Sequence, residues 1–335
     1  MSASRIELAF GYTAPEGRTL LIGPDRATDL SPFDRERTEI VQPFFPDATA
    51  IEARGFKVGN PGEDKFDTVV AFLARSRALI RGRIAMAVSR LAPGGTLWID
   101  GQKTDGIDSV LKEMRDLSTV DEVYSRAHGK IFRVEPPAES AIPADWALKR
   151  SEVAPGFITV PGVFSADGAD PASEMLAAAL PERLPTRIVD LGAGWGWLSA
   201  QILTNPGVEA LHLVEADRDA LDCARLNVTD PRATFHWADA LSFKLAEPVN
   251  GVIMNPPFHS GRDANSALGV GFIQAAARML TGAGRLWMVA NRHLPYEAAL
   301  RSVFADVAEI GGDNRFKVLT ATGAGRGAAG KGRSK

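Results

Sequence analysis

The sequence predicts two tandem copies of one Rossmann-like α/β fold, the first without a ligand loop. Three observations carry that expectation. Short apolar runs alternate with segments of helical spacing along the whole chain. One such run, Arg187 to Leu191, leads straight into Gly192-Ala193-Gly194-Trp195-Gly196. The two halves also repeat an order. Phe66 to Ala71 matches Asn250 to Met254, Gly94 to Trp98 matches Gly282 to Trp287, and Gly129 to Val134 matches Asp313 to Val318.

Size and composition agree with a two-domain globular chain. There are 335 residues, 45% apolar and 24% charged. No run approaches a membrane-spanning length and no charged-then-apolar leader opens the chain, so a cytoplasmic protein is expected. The single cysteine, Cys223, excludes an internal disulfide, and no Cys/His cluster has zinc spacing. A net charge of -3 gives no bulk attraction for nucleic acid, so any such binding must come from local patches.

In the first half, Arg18 to Pro24 reads as a strand closed by Gly-Pro. Thr38 to Val41 and the stretch around Ala50 to Ala53 are weaker strand candidates, and Phe66 to Phe72 is a buried one. Ser76 to Leu91 has helical spacing and stops at Pro93-Gly94-Gly95. Gly95 to Asp100 is a strand, Asp108 to Leu117 a helix and Lys130 to Val134 a last strand. No glycine-rich loop occurs here, because Pro24-Asp25-Arg26 follows Gly23. Arg75, Arg77, Arg81, Arg83 and Arg90 lie in a stretch without acids between Asp67 and Asp100. They form either a solvated helix face or a phosphate-contacting patch, with Arg75 and Arg77 flanking the loop.

Glu135 to Pro143 is rich in proline and small residues and reads as a domain boundary. Trp146 to Arg150 and Phe157 to Val160 suggest a hairpin about Ala154-Pro155-Gly156. A turn-rich loop, Pro161 to Asp170, precedes a helix from Ala172 to Leu180, with Asp170 as its cap and Pro171 opening it. Trp197 to Leu203 is the helix after the glycine loop. Such a loop brings backbone close to a ligand and suits a dinucleotide or a nucleoside-type cofactor. Glu209 to Glu215 is the next strand, and a carboxylate at its end can accept both ribose hydroxyls. A helix from Asp217 to Asn227 and a strand from Thr234 to Trp237 follow. Asp239, beside Ala240, can accept from an adenine amino group or cap a helix. Helices at Phe272 to Leu280 and Glu297 to Phe304, and strands at Arg285 to Ala290 and Phe316 to Leu319, complete the half.

The stretch Asn250 to Gly261 organises the second half. Its apolar strand stops at Asn255-Pro256-Pro257-Phe258, since consecutive prolines donate no ladder hydrogen bonds. The Asn255 amide oxygen and the Pro256 carbonyl can accept the two hydrogens of an exocyclic NH2, and the Phe258 ring can stack on the base that carries it. A plain proline turn over a core Phe is the competing reading.

The series Asp190-x-Gly192-x-Gly194-x-Gly196, Glu215, Asp239 and Asn255-Pro256-Pro257-Phe258 resembles the class I S-adenosylmethionine-dependent methyltransferases that modify exocyclic amino groups. Pro161-Gly162-Val163-Phe164-Ser165-x-Asp167-Gly168, Asn255 to Gly261 and Asn314 to Val318 make it similar to the ribosomal RNA guanine-N2 methyltransferases, the bacterial small-subunit (16S) family in particular. The motifs cover residues 157 to 320; over 1 to 135 only the architecture corresponds. Trp195 and Trp197 make the glycine loop bulkier than the family pattern.

The resemblance implies an α/β chain of two tandem Rossmann-like methyltransferase domains. Residues 1–135 form the degenerate one, 136–145 a linker, 146–320 the catalytic domain and 321–335 a basic flexible tail. It implies S-adenosylmethionine over Gly192, Gly194 and Gly196, with the ribose on Glu215 and the adenine at Asp239 and Ala240. Asp190 either braces the loop or meets the methionine end. Asn255 borders both cofactor and acceptor and acts with Pro256 and Phe258. His259 shapes the substrate loop, and Arg75 and Arg77 meet RNA phosphates. The implied partner is ribosomal RNA or a ribosomal subunit, bound by a monomer, with neither metal nor membrane. Alternative NH2 acceptors are a large-subunit rRNA guanine, a DNA adenine or a protein glutamine. An NAD-dependent oxidoreductase shares the glycine loop and Glu215 but leaves Asn255 to Phe258 without a purpose.

Overall fold

A computed structural model of the chain describes residues 4–11, 13–257 and 266–325. The chain divides into two compact units, Met1–Arg150 and Ser151–Lys335. Among the described residues no helix is long and apolar enough to cross a membrane, and no cluster of three His, Cys, Asp or Glu could hold a metal ion.

The first unit carries strands β1 (Thr19–Ile22), β2 (Thr38–Val41), β3 (Lys57–Val58), β4 (Phe66–Phe72), β5 (Leu91–Gln102), β6 (Val120–Arg126) and β7 (Gly129–Val134). Its sheet runs β3-β2-β1-β4-β5-β7-β6, with β7 antiparallel to both neighbours. Helix α1 (Arg5–Phe10) precedes β1, and α2 (Phe45–Glu52), α3 (Arg77–Arg90) and α4 (Ile107–Leu117) connect strands. Central strands such as β4 are covered on both faces, so they read as continuous apolar runs rather than alternating ones.

The second unit opens with a hairpin, β8 (Ser151–Ala154) and β9 (Phe157–Thr159), followed by α5 (Pro171–Ala179). Then come β10 (Arg187–Leu191), α6 (Trp197–Leu203), β11 (Ala210–Glu215), α7 (Arg218–Asn227), β12 (Ala233–Trp237) and β13 (Val249–Met254). The chain finishes with α8 (Ser266–Met279), β14 (Leu280–Asn291), α9 (Tyr296–Val303), β15 (Phe304–Gly312) and β16 (Phe316–Ala324). Its sheet order, β12-β11-β10-β13-β14-β16-β15, repeats that of the first unit position for position. The three matched segment pairs fall on β4 and β13, β5 and β14, and β7 and β16, so the internal duplication is a fact of topology.

Several expectations change. Ala50 to Ala53 belongs to the end of α2, not a strand; Pro46 in the first turn and the buried pair Ala48 and Ile51 mark that helix. Trp146 closes a short 3-10 turn, Ala144–Trp146, and the first hairpin strand is Ser151–Ala154 instead. Three strands escape the sequence reading, β3, β6 and β15. All three are sheet edges with at most one buried side chain each, so none carries an apolar signature. The proline-rich stretch before residue 150 packs into the first unit. Trp146 is buried there under the Arg81 guanidinium, 5.3 Å from its ring, and Ile142 lies on the same core.

In the first unit, β1 holds the sheet position that β10 holds in the second. At the carboxyl end of β1, Gly23 borders a cavity shared with Phe72 and Asp100. Arg5 of α1 enters it and grips Asp100 with two bonds of 2.7 and 2.9 Å. Burial pushes the Asp100 carboxyl up, and the Arg5 guanidinium pulls it back.

Candidate active site

The site of the second unit lies where strand order reverses, between β10 and β13, at their carboxyl ends. Both strands end in residues that face one cleft. Gly192, Ala193, Gly194 and Trp195 line it on one side and Asn255 on another, with Phe164, Ser165, Asp170, Ser173, Trp197 and Leu198 completing the wall.

The glycine loop needs its glycines. Gly192, Gly194 and Gly196 have φ of +83°, +56° and +88°, a region that strains other residues. A Cβ on Gly196 would lie 2.9 Å from Val228, whereas one on Gly194 would meet nothing within 4 Å. Gly194 is therefore the point where backbone and open space meet, a cradle that any side chain would fill.

Glu215 ends β11 and turns back onto this loop. One carboxylate oxygen accepts from the Gly194 N–H at 2.8 Å and the other from the Asp217 N–H at 2.8 Å. Each oxygen keeps lone-pair capacity for a further donor. Burial holds the Glu215 carboxyl above the usual glutamate range, against the pull of the backbone N–H groups of Asp217, Gly194 and Ala216. Beside it, the Trp237 indole N–H donates to the Ala216 carbonyl at 2.9 Å, and the Arg218 guanidinium lies 4.1 Å from the Trp237 ring.

Asp190 sits beneath the loop, fully buried. Oδ2 accepts from the Ser199 hydroxyl at 2.6 Å, which braces α6. Oδ1 has no partner. Burial pushes its carboxyl up to about 7, with Ser199 pulling it down and the Glu215 charge pushing it further up. A buried acceptor left open beneath a glycine cradle fits a ligand that brings donors and positive charge.

The sign of the Asp190 shift gives a prediction. The folded chain holds this proton more tightly than the unfolded chain, whose carboxyl titrates near 3.8. Stability from the neutral form is complete below that value and is lost as pH rises through about 7. Asp190→Asn should therefore match the wild type near pH 4 and exceed it above neutrality, by ~4 kcal/mol at most. Thermal melts of cofactor-free protein across that range check it.

The other expected residues fall as follows. Asp239 is half-buried after β12, and its Oδ1 accepts from the Leu241 N–H at 2.9 Å, a turn-capping bond; Ala240 is buried. Pro256 is buried, Pro257 exposed and Asn255 half-buried. Phe258 and His259 lie outside the described residues, as does the tail from Arg326. Arg75 and Arg77 belong to the first unit. Arg77 and Arg81 both pair with Glu113, Arg90 with Glu63, and Arg83 donates to the Phe72 carbonyl. Arg75 is exposed and has no partner among the described residues.

Sequence reasoning missed three features. Asn255 Nδ2 donates to Asp170 Oδ2 at 2.8 Å and to Ser173 Oγ at 2.9 Å. Trp195 is not an obstruction: its ring is buried, and its indole N–H holds the Phe164 carbonyl at 3.0 Å, tying the Pro161 to Gly168 loop to the glycine loop. Asn227 at the end of α7 bonds the Ile158 N–H, the Ile158 carbonyl and the Trp195 carbonyl. Each pairing joins residues far apart in the chain, so no local pattern announces it.

Strand order, glycine loop, strand-end carboxylate and proline-terminated fourth strand together define a class I methyltransferase that uses S-adenosylmethionine. Family models agree: residues 155–320 match the methyltransferase small domain and residues 41–149 its N-terminal domain. The chain belongs to the ribosomal RNA small subunit methyltransferase C family. It is 30% identical to that protein of Shewanella amazonensis over 266 residues, 76% of this chain and 77% of the relative. It is 28% identical to the one of Shewanella sediminis over 312 residues, 90% and 89% of the two chains. A T. thermophilus 16S rRNA N2 methyltransferase, solved with AdoMet and guanosine, shares its fold at a TM-score of 0.78, with 23% identity over 95% of this chain and 91% of that one.

Proposed function

We propose that the second unit transfers a methyl group from S-adenosylmethionine to the exocyclic N2 of a guanine in 16S rRNA. The observation that carries this reading is Asn255, whose amide shares one cleft with Gly192 to Gly194 while no described residue donates to its oxygen. The names of its relatives, small-subunit rRNA methyltransferases, support the acceptor molecule.

The residues divide the work. Gly194 lets the cofactor approach the backbone, Glu215 takes the ribose hydroxyls with its remaining lone pairs, and Asp190 Oδ1 faces the methionine end. Asp239 keeps one oxygen for the adenine. The bound cofactor supplies an electrophilic methyl on a sulfonium. Asn255 Oδ1 and the Pro256 carbonyl accept the hydrogens of N2 and so aim its lone pair. That pair is delocalised into the ring, so alignment and fixed dipoles contribute more than a base would. The proton becomes acidic only once nitrogen carries the methyl, and it leaves then. The exposed Phe164 ring in the wall of the cleft offers a flat face to the flipped base, and Phe258 is the second aromatic residue assigned to that base. The first unit binds RNA, with Arg75 as one open cation and Arg77 able to exchange Glu113 for phosphate. Ribosomal RNA as substrate sets this work in the cytoplasm.

The test pairs binding with transfer. Purified protein, labelled S-adenosylmethionine and unmodified 16S rRNA, free or in the small subunit, should yield N2-methylguanosine. S-adenosylhomocysteine should bind and NAD should not. A label on adenine, or binding of NAD alone, would overturn the reading.

A further inference from the structure

We infer that Asp170 and Ser173 are positioning residues that set which end of the Asn255 amide meets the acceptor. This rests on the proposed role of Asn255. A primary amide has two faces of opposite chemistry, one oxygen that accepts and one nitrogen that donates twice. Only the oxygen helps to orient an NH2 group. An Asn at this position without anchored neighbours would present either end.

The structure removes that freedom. The Asp170 carboxylate can only accept, and it faces Nδ2 at 2.8 Å. The second Nδ2 hydrogen goes to Ser173 Oγ at 2.9 Å. Both donors are spent, and a rotated amide would set its oxygen against a carboxylate. Oδ1 is then the amide's remaining hydrogen-bonding atom, in a cleft that Asp170 and Ser173 also line.

Asp170 is itself fixed. The same Oδ2 accepts from the Ser173 N–H at 3.0 Å, so Asp170 is the cap of α5. One oxygen therefore joins the start of α5 to the end of β13 across 85 residues of sequence. This gives the cap a second task, which capping preference alone does not require. Serine caps a helix about as well as aspartate, but its shorter, neutral side chain does not reach the amide.

The experiment uses that difference in the full-length protein. Asp170→Ser keeps the cap and should lower kcat about tenfold, with KM for S-adenosylmethionine within about twofold and the melting temperature little changed. Asp170→Asn should restore kcat to within about threefold of the wild type. Its oxygen is held toward α5 by the Ser173 N–H and still accepts from Asn255. In an Asn255→Ala background, Asp170→Ser should have no further effect on kcat.

Equal loss from Asp170→Ser with or without Asn255 would make Asp170 a structural residue and overturn the inference. So would a wild-type kcat in Asp170→Ser while Asn255→Ala is inactive; that result leaves the role of Asn255 intact. Normal turnover by Asn255→Ala would remove both.

Discussion

Asn255→Ala is expected to lower methyl transfer by roughly a hundred- to a thousand-fold, the usual loss when one preorganised polar group is removed from a reacting centre. Binding of S-adenosylhomocysteine should change little, because the glycine loop and Glu215 stay in place. The fold should survive. Asn255 is only half-buried, and truncation frees one carboxylate oxygen, which keeps the Ser173 N–H, and one hydroxyl, which lines the cleft. A stability loss of about 1 kcal/mol is anticipated. Turnover under single-exposure conditions, with homocysteine-form binding and a thermal melt in parallel, separates these effects. Wild-type transfer in a folded variant would leave the bend at Asn255 without a chemical role.

Glu215→Ala should act on the other half of the site. Glu215 holds two backbone N–H groups, at Gly194 and Asp217, and charged acceptors of this kind are worth about 1.5–3 kcal/mol each. Its loss frees the loop and removes the acceptor for the ribose. Affinity for S-adenosylhomocysteine should fall by at least about a hundredfold, and residual turnover at saturating cofactor should fall much less. The wild-type affinity should also weaken as pH drops through the raised Glu215 pKa, because a protonated carboxyl cannot accept at both oxygens. Calorimetric titration of wild type and variant across acidic pH checks both statements. Unchanged affinity in the variant would place the ribose elsewhere.

Much of this architecture could be read in the sequence. The β10 run, the glycine loop and α6 begin and end where the residues suggest, because buried parallel strands are continuous apolar runs and positive-φ turns call for glycine. The duplication was legible for the same reason, since its matched segments are central strands. The edges were not. The solvated residues of β6 and β15 carry no period, and α2 looked strand-like because its apolar residues cluster after Thr49. Within the site, Glu215 and Asn255 stand out because each ends a strand beside an obvious loop. Asp170, Ser173, Trp195 and Asn227 do not. Their partners are a side chain 85 residues away, a carbonyl 31 residues away and backbone groups of a hairpin, contacts that only the folded chain creates. Arg77 shows the reverse error: its local stretch has no acid, yet Glu113 of the next helix reaches it.

The most direct check on an Asn255-centred guanine methyltransferase is a mass-spectrometric map of ribosomal RNA nucleosides from cells lacking the protein. One N2-methylguanosine should vanish from the 16S molecule and return with the wild-type gene but not with Asn255→Ala. An unchanged 16S map would contradict the account.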